Sequence, residues 1–222
     1  MSKNIDNNLL LFQAYQMLKK DLERPEFQHI ESTATKFLHQ LQYEIQEWDG
    51  ISNKTTFDKY WTAPEANAVS AEGIAKMNKS NFTELFLKDA YTQDKVRQLL
   101  FIRQQESLDF RLVKKIADVG LIEHLDKYPF SFGKKPLFYV HRLEIMIFPE
   151  LVTSIADRKK LEDTAKELGI NGNSVGFEKL QYQIREKIDT FIQENSLESE
   201  SDFVKRGIAW WAIDAAKAIR KK

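Results

Sequence analysis

The sequence predicts a mainly α fold, a multi-helix globular bundle built on a buried central helix near residues 137–148. Three observations predict it. Apolar residues recur every three or four positions through most of the chain, while the period-two alternation of half-buried strands is scarce. Capping residues, prolines and glycines fall where those periodic stretches begin and end. The run from Leu137 to Phe148 is apolar in nearly every helical direction. At about 100° per residue, Leu137, Phe138, Tyr139, Val140, Leu143, Ile145, Met146, Ile147 and Phe148 surround the axis, and only His141, Arg142 and Glu144 interrupt them. A helix apolar all round must be buried. At about 12 residues it is too short for a bilayer, which takes roughly 20.

Residues 5–22 carry Ile5, Leu9, Phe12, Tyr15 and Leu22 at helical spacing, with Asp6 and Asn4 as candidate caps. Pro25 marks a break. Phe27, Ile30, Ala34, Phe37, Leu38, Leu41, Ile45 and Trp48 then form a second amphipathic stripe that ends near Asp49-Gly50, and the two helices are expected to pair as an antiparallel hairpin. Residues 51–79, rich in Asn, Ser, Thr and Ala, read as a loop with one or two short helices. Asn81 and Glu84 form a candidate capping box, and Thr92 is the expected cap of the next helix, over Val96, Leu99, Leu100 and Phe101. Leu108, Leu112, Val113, Ile116 and Ala117 mark another, with Gly120 allowing a bend before Leu121, Ile122 and Leu125.

The connector DKYPFSFGKKP leads into the central helix, which Pro136 opens and Pro149 ends. Beyond it, Asp157 caps a helix over Leu161, Ala165 and Leu168 that stops at Gly169, with Ile170 as the hydrophobic residue expected after a glycine terminator. Phe177, Leu180, Ile184, Ile188, Phe191 and Ile192 make a clean stripe, ENSLESES an exposed acidic link, and Asp202 to Ile219 a last helix ending in Arg220-Lys221-Lys222. The connector divides the chain into an N-terminal helical part, 1–133, and a C-terminal part, 134–222, unless 1–222 forms one domain.

With 33 basic and 33 acidic residues, net charge is zero and nothing draws the whole chain toward nucleic acid or an anionic membrane. The absence of cysteine excludes disulfides, thiol nucleophiles and cysteine-ligated metals. The first residues lack the charge and apolar pattern of a secretory signal, so the expected location is cytoplasmic, without membrane insertion.

The candidate catalytic residues are His141 and Glu144. Three positions apart on one helix, they suit a general base with a carboxylate partner, although the same pair can simply tie the helix to its neighbours. No pattern supplies further metal ligands, and no phosphate-cradling or nucleophile-elbow motif occurs, so no metal and no cofactor are expected. Lys134, Lys135, Arg158, Lys159 and Lys160 flank the central helix as candidate nucleic-acid contacts, with Arg142, Lys205 and Arg206 as further basic residues of the same region and the last helix. Trp210 and Trp211 are the candidate partner-binding residues: they point about 100° apart, so one can be core while the other lies nearer the surface, where an exposed tryptophan suits a partner-binding hot spot.

Two family patterns resemble stretches of this chain. Arg24 and His29 have the arginine, four residues, histidine spacing of HEPN-type helical ribonucleases, although Pro25 sets the arginine outside a helix. Phe148, Pro149, Glu150, Ile155, Lys159, Lys160, Ile184, Arg185 and Glu186 resemble a helical region of bacterial McrB-like restriction and phage-defence proteins. That resemblance implies a setting in bacterial defence or mobile-element biology and names no catalytic residue. The functional expectation is a non-enzymatic helical binding protein with a protein partner or a second copy of itself. The alternatives are a nucleic-acid-binding domain using the basic clusters and a hydrolase using His141 and Glu144.

Overall fold

A computed structural model describes residues 5–47, 89–105, 107, 109–129, 137–172 and 175–221. Among them every regular element is a helix, as expected. In chain order the α-helices are α1 (Asn7–Leu22), α2 (Ile30–Glu47), α3 (Ala90–Gln105), α4 (Phe110–Val119), α5 (Leu121–Lys127), α6 (Leu137–Ile147), α7 (Arg158–Glu167), α8 (Phe177–Glu194) and α9 (Asp202–Arg220). The predicted loop 51–79, the Asn81–Glu84 capping box, Pro136 and the candidates Lys134 and Lys135 lie outside the described residues.

Local chemistry sets the helix ends. Asp6, Asp109, Asp157 and Ser201 each accept a backbone N–H in the first turn of α1, α4, α7 and α9. α3 begins one residue after Asp89, whose carboxylate takes the Thr92 N–H at 3.1 Å, so Asp89 is the cap and Thr92 lies inside the first turn. Gly120 and Gly169 both have φ of +68°, the left-handed conformation that ends a helix at little cost for glycine. At Gly169 the 2.8 Å bond from Ile170 N–H to the Ala165 carbonyl and the 3.1 Å bond from Gly169 N–H to the Lys166 carbonyl complete the expected termination.

The packing differs from the expected hairpin of the first two helices. α1 lies along α9, its most extensive partner, while α2 touches α9, α6 and α3. Small residues explain the choice. α9 buries Ala209, Ala212, Ala215 and Ala216, and a Cβ on Gly207 would sit 3.1 Å from Leu18, so the backbones approach closely while Leu10, Leu11, Ala14 and Leu18 fill the seam. The 3₁₀ turn Pro25–Phe27 redirects the chain between α1 and α2. One buried cluster contains residues from Leu10 to Ala216 and so runs across residue 134.

Every residue of 141–149 is buried, as the all-round apolar pattern requires. α6 packs among α2, α3 and α5. Beyond it the chain stays largely inside: apart from half-buried Glu150, residues 148–156 are buried yet not helical, so their backbone groups need partners that water cannot supply. Gln181 on α8 is the main one. Its Oε1 accepts from Thr153 N–H at 3.0 Å and from the Thr153 hydroxyl at 2.7 Å, and its Nε2 donates to the Ile155 carbonyl. The Thr153 hydroxyl oxygen takes Ile155 N–H, the Arg206 carbonyl takes Ser154 N–H, and His141 donates to the Ala156 carbonyl.

Gln181→Leu keeps the volume and removes the clamp. Leaving Thr153 N–H and the Ile155 carbonyl unpaired costs about 2–4 kcal/mol, so urea denaturation should show a much lower midpoint. A change below about 0.5 kcal/mol, the range of ordinary surface substitutions, would mean that the segment finds other partners.

Candidate functional site

The interior around α6 and residues 148–156 holds an unusual set of polar groups: His141, Arg142, Glu144, Thr153, Ser154, Gln181, Arg185 and Arg206 are all buried. His141 and Glu144 take different partners. The His141 ring stacks on Phe177, with centroids 3.7 Å apart, and its Nδ1 lies 2.9 Å from the Ala156 carbonyl. A carbonyl only accepts, so Nδ1 carries the proton and the neutral ring keeps its lone pair on Nε2. Burial pulls the imidazole down to about 4, against the upward pull of that hydrogen bond. Glu144 is instead paired with Glu178 on α8. Burial first, then the neighbouring carboxylate, hold Glu144 well above the usual carboxylate range, and burial also raises Glu178. Glu144 is thus a carboxylic acid that donates to Glu178, while its Oε1 has no partner among the described residues. The cavity beside the pair, between Val113, Ile116, Phe148 and Phe177, is about 10 Å³, room for about one water and none for a substrate.

Of the basic candidates among the described residues, Arg158 and Lys159 are exposed and ion-paired along their own helix, and Lys160 is half-buried. Arg158 pairs with Glu162 at 2.9 Å and Lys159 with Asp163 at 2.9 Å, both one turn along α7. The depression beside them, about 600 Å³, is lined by Glu162 and Asp163 as well as by Lys159 and Lys166, so it offers no net attraction for phosphate. The Lys160 ammonium lies over the Trp210 ring. Arg142 and Arg206, expected among the basic surface residues, are interior: at most 1% of either is exposed. Of the two in Lys205-Arg206, only Lys205 points outward, donating to the Glu198 carbonyl at 2.8 Å. Arg24 caps the 3₁₀ turn and pairs with Asp21, and His29 is exposed outside any helix, so the HEPN-like spacing is not set on one helical face.

Trp210 and Trp211 are not split between core and surface. Both are half-buried, and together they wall an apolar cleft of about 160 Å³. Leu18, Leu22, Phe27, Ile30, Phe203 and Gly207 complete its apolar lining, with Asp21 and Ser154 as the polar residues. The cleft therefore sits where the C-terminal end of α1, the 25–27 turn, the start of α2 and the middle of α9 converge. Ser154 reaches it because its N–H is held by the Arg206 carbonyl one position before Gly207. Sequence reasoning located the two tryptophans but not the cleft, because Phe27 and Ile30 arrive from a distant turn. The glycine at 207 within an alanine-rich helix was the available signal.

Two further groupings escaped the sequence. His124 bonds Asp89 at 2.9 Å and lies 3.1 Å from the Thr92 hydroxyl, joining the start of α3 to α5. Burial alone would raise Asp89, but the bonds from Thr92 and His124 outweigh it and hold the carboxyl below its usual range. Glu200, in the acidic link expected to be exposed, receives Tyr15 and Lys19 from α1. No protein-family model, curated protein or solved structure matches the chain.

The buried titratable groups set opposite pH slopes. His141 is held neutral, so stability falls as pH drops from the unfolded value of 6.5 through about 4, by up to about 3 kcal/mol. Glu144 is held protonated, so its contribution is full below 4.5 and is lost as pH rises through its elevated native value. Urea denaturation across pH should therefore show Glu144→Gln more stable than the wild type by about 1–3 kcal/mol at pH 8, and the two merging near pH 4. A constant offset at all pH values would show that Glu144 is ionised in the folded protein.

Proposed function

We propose that the chain is a non-enzymatic binding protein that engages a partner protein through the Trp210–Trp211 cleft, which receives a single bulky apolar side chain. The observation carrying this reading is the size and lining of the cleft. A drug-sized ligand occupies roughly 300–1,000 Å³, whereas 160 Å³ suits one anchoring side chain. Two tryptophans with Phe27, Phe203 and Ile30 match the desolvated aromatic pockets in which binding energy concentrates. The lining comes from α1, α2, α9 and the buried 148–156 segment, so the cleft is preformed on rigid elements.

The nucleic-acid reading has less support, since Arg158 and Lys159 are paired with acids of their own helix and Arg142 and Arg206 are interior. A hydrolase reading has less support, since His141 is engaged by Phe177 and the Ala156 carbonyl, Glu144 by Glu178, and the cavity beside Glu144 holds about 10 Å³. A bacterial defence or mobile-element setting rests on the McrB-like resemblance, most of whose residues serve the interior here: Phe148, Pro149, Ile155, Ile184 and Arg185 are buried.

Titration with N-acetyl-phenylalaninamide, followed through the tryptophan indole N–H signals in NMR, tests the reading. The signals of Trp210 and Trp211 should shift with a dissociation constant on the order of millimolar, as expected for a fragment of about 4 kcal/mol, and Trp211→Ala should weaken the response at least tenfold. Signals unmoved at tens of millimolar would sink the proposal. Sedimentation identifies the case in which the partner is a second copy: the wild type then dimerises and Trp211→Ala does not.

A further inference from the structure

The apolar cleft contains one polar group that the fold leaves unused. Leu18 and Ser154 are the two buried residues of its lining, 7% and 6% exposed, and so form its inner end, while the aromatic walls, Phe27, Phe203, Trp210 and Trp211, are half-buried. Elsewhere in the buried segment 148–156, a side-chain oxygen serves the chain itself. The hydroxyl of the preceding residue, Thr153, donates to Gln181 at 2.7 Å and accepts the Ile155 N–H at 3.2 Å. Ser154 has no such task, because its N–H is already taken by the Arg206 carbonyl at 3.2 Å. Among the described residues nothing bonds its Oγ, and that oxygen is not sealed in the interior as Glu144 Oε1 and Thr164 Oγ1 are. It therefore opens into the cleft. The other polar residue of the lining, Asp21, is engaged: its Oδ1 holds Arg24 Nη2 at 2.9 Å.

A free hydroxyl at the inner end sets a condition on what enters. Solvent satisfies it until an occupant arrives, and an occupant that is apolar throughout strips that water and returns nothing, leaving a polar group unpaired in an apolar enclosure. An aromatic ring with a polar tip meets both demands, its body against the tryptophans and phenylalanines and its tip on the hydroxyl. We propose that the side chain the cleft takes is a tyrosine of a partner protein, with its phenolic O–H donating to Ser154 Oγ. The inference rests on the cleft being the partner site and names the residue that anchors there. A site built around such a bond rejects the analogue that lacks the hydroxyl, since its own polar group is then left without a partner.

The test is NMR titration of the intact chain, read at the indole N–H signals, with N-acetyl-tyrosinamide and N-acetyl-phenylalaninamide side by side. Wild type should bind the tyrosine ligand about three- to tenfold more tightly, the range that one hydrogen bond provides, and Ser154→Ala should lose that preference. Equal affinity of wild type for the two ligands, or a preference that survives in Ser154→Ala, overturns the tyrosine assignment and leaves the cleft reading standing. Binding of neither ligand overturns both. Tighter binding of N-acetyl-tryptophanamide than of the tyrosine ligand also overturns the assignment and gives the anchor to tryptophan. If Ser154→Ala does not fold, N-acetyl-para-fluorophenylalaninamide decides on the wild type, because it occupies the para position of the ring without an O–H to donate. Affinity like that of the phenylalanine ligand supports the bond to Ser154, and affinity like that of the tyrosine ligand rejects it.

Discussion

The structure depends on a constraint of the simplest kind: a non-helical stretch of backbone inside the protein must find its own hydrogen bonds. Residues 148–156 are that stretch, and their solution ties the central helix to α8 and α9. Pro149 ends α6 without ending burial, so the chain continues inward with its peptide groups exposed to apolar neighbours. One α8 side chain, Gln181, uses both ends of its amide to hold Thr153 and Ile155, and α9 contributes the Arg206 carbonyl to Ser154. These bonds fix residues 153–155 to α8 and α9 directly after the central helix. Ser154 becomes a wall of the cleft, and Arg206 is held in the interior, as consequences of the same anchoring.

The buried polar groups divide by whether they can shed charge. His141 and Glu144 can: the imidazole sits neutral against a carbonyl, and the carboxylic acid donates to Glu178. Each gives up its charge and keeps a hydrogen bond, which is the low-cost way to bury an ionisable group. Arginine has no such option. Arg103 is resolved by Glu150, and Arg185 by Asp189 and a carbonyl, but Arg206 has neither kind of partner among the described residues. Burial and the Arg185 charge pull its guanidinium down to about 10, which still leaves it charged at neutral pH. That difference separates the groups that meet burial by shedding charge from the one that cannot.

Helices were legible in the sequence because their signals are local. The all-round apolar run 137–148, the caps Asp6 and Asp157, and the Gly169-Ile170 terminator depend only on residues within a few positions of one another, and each is found as expected. Pairing was not legible, since amphipathic stripes say that a face is buried without saying against what. The preference of α1 for α9 over α2 rests on small side chains almost two hundred residues away, and the cleft rests on Phe27 meeting Trp211. The charged residues misled for a related reason. Arg142 and Arg206 look in sequence like the surface arginines around them, and only the packing of the folded helices places them inside.

Native-state hydrogen exchange on residues 151–156 tests most directly the claim that this buried segment is the anchor of the fold. If it is, the amides of Thr153, Ser154 and Ile155 exchange only through global unfolding, with the same denaturant dependence as the core of α8. If they exchange instead by small local openings, at rates like those of the surface turn around Glu198, the segment is a loop resting on an independently stable bundle. In that case apolar packing alone holds α6, α8 and α9 together, and the anchoring role assigned to Gln181 is wrong.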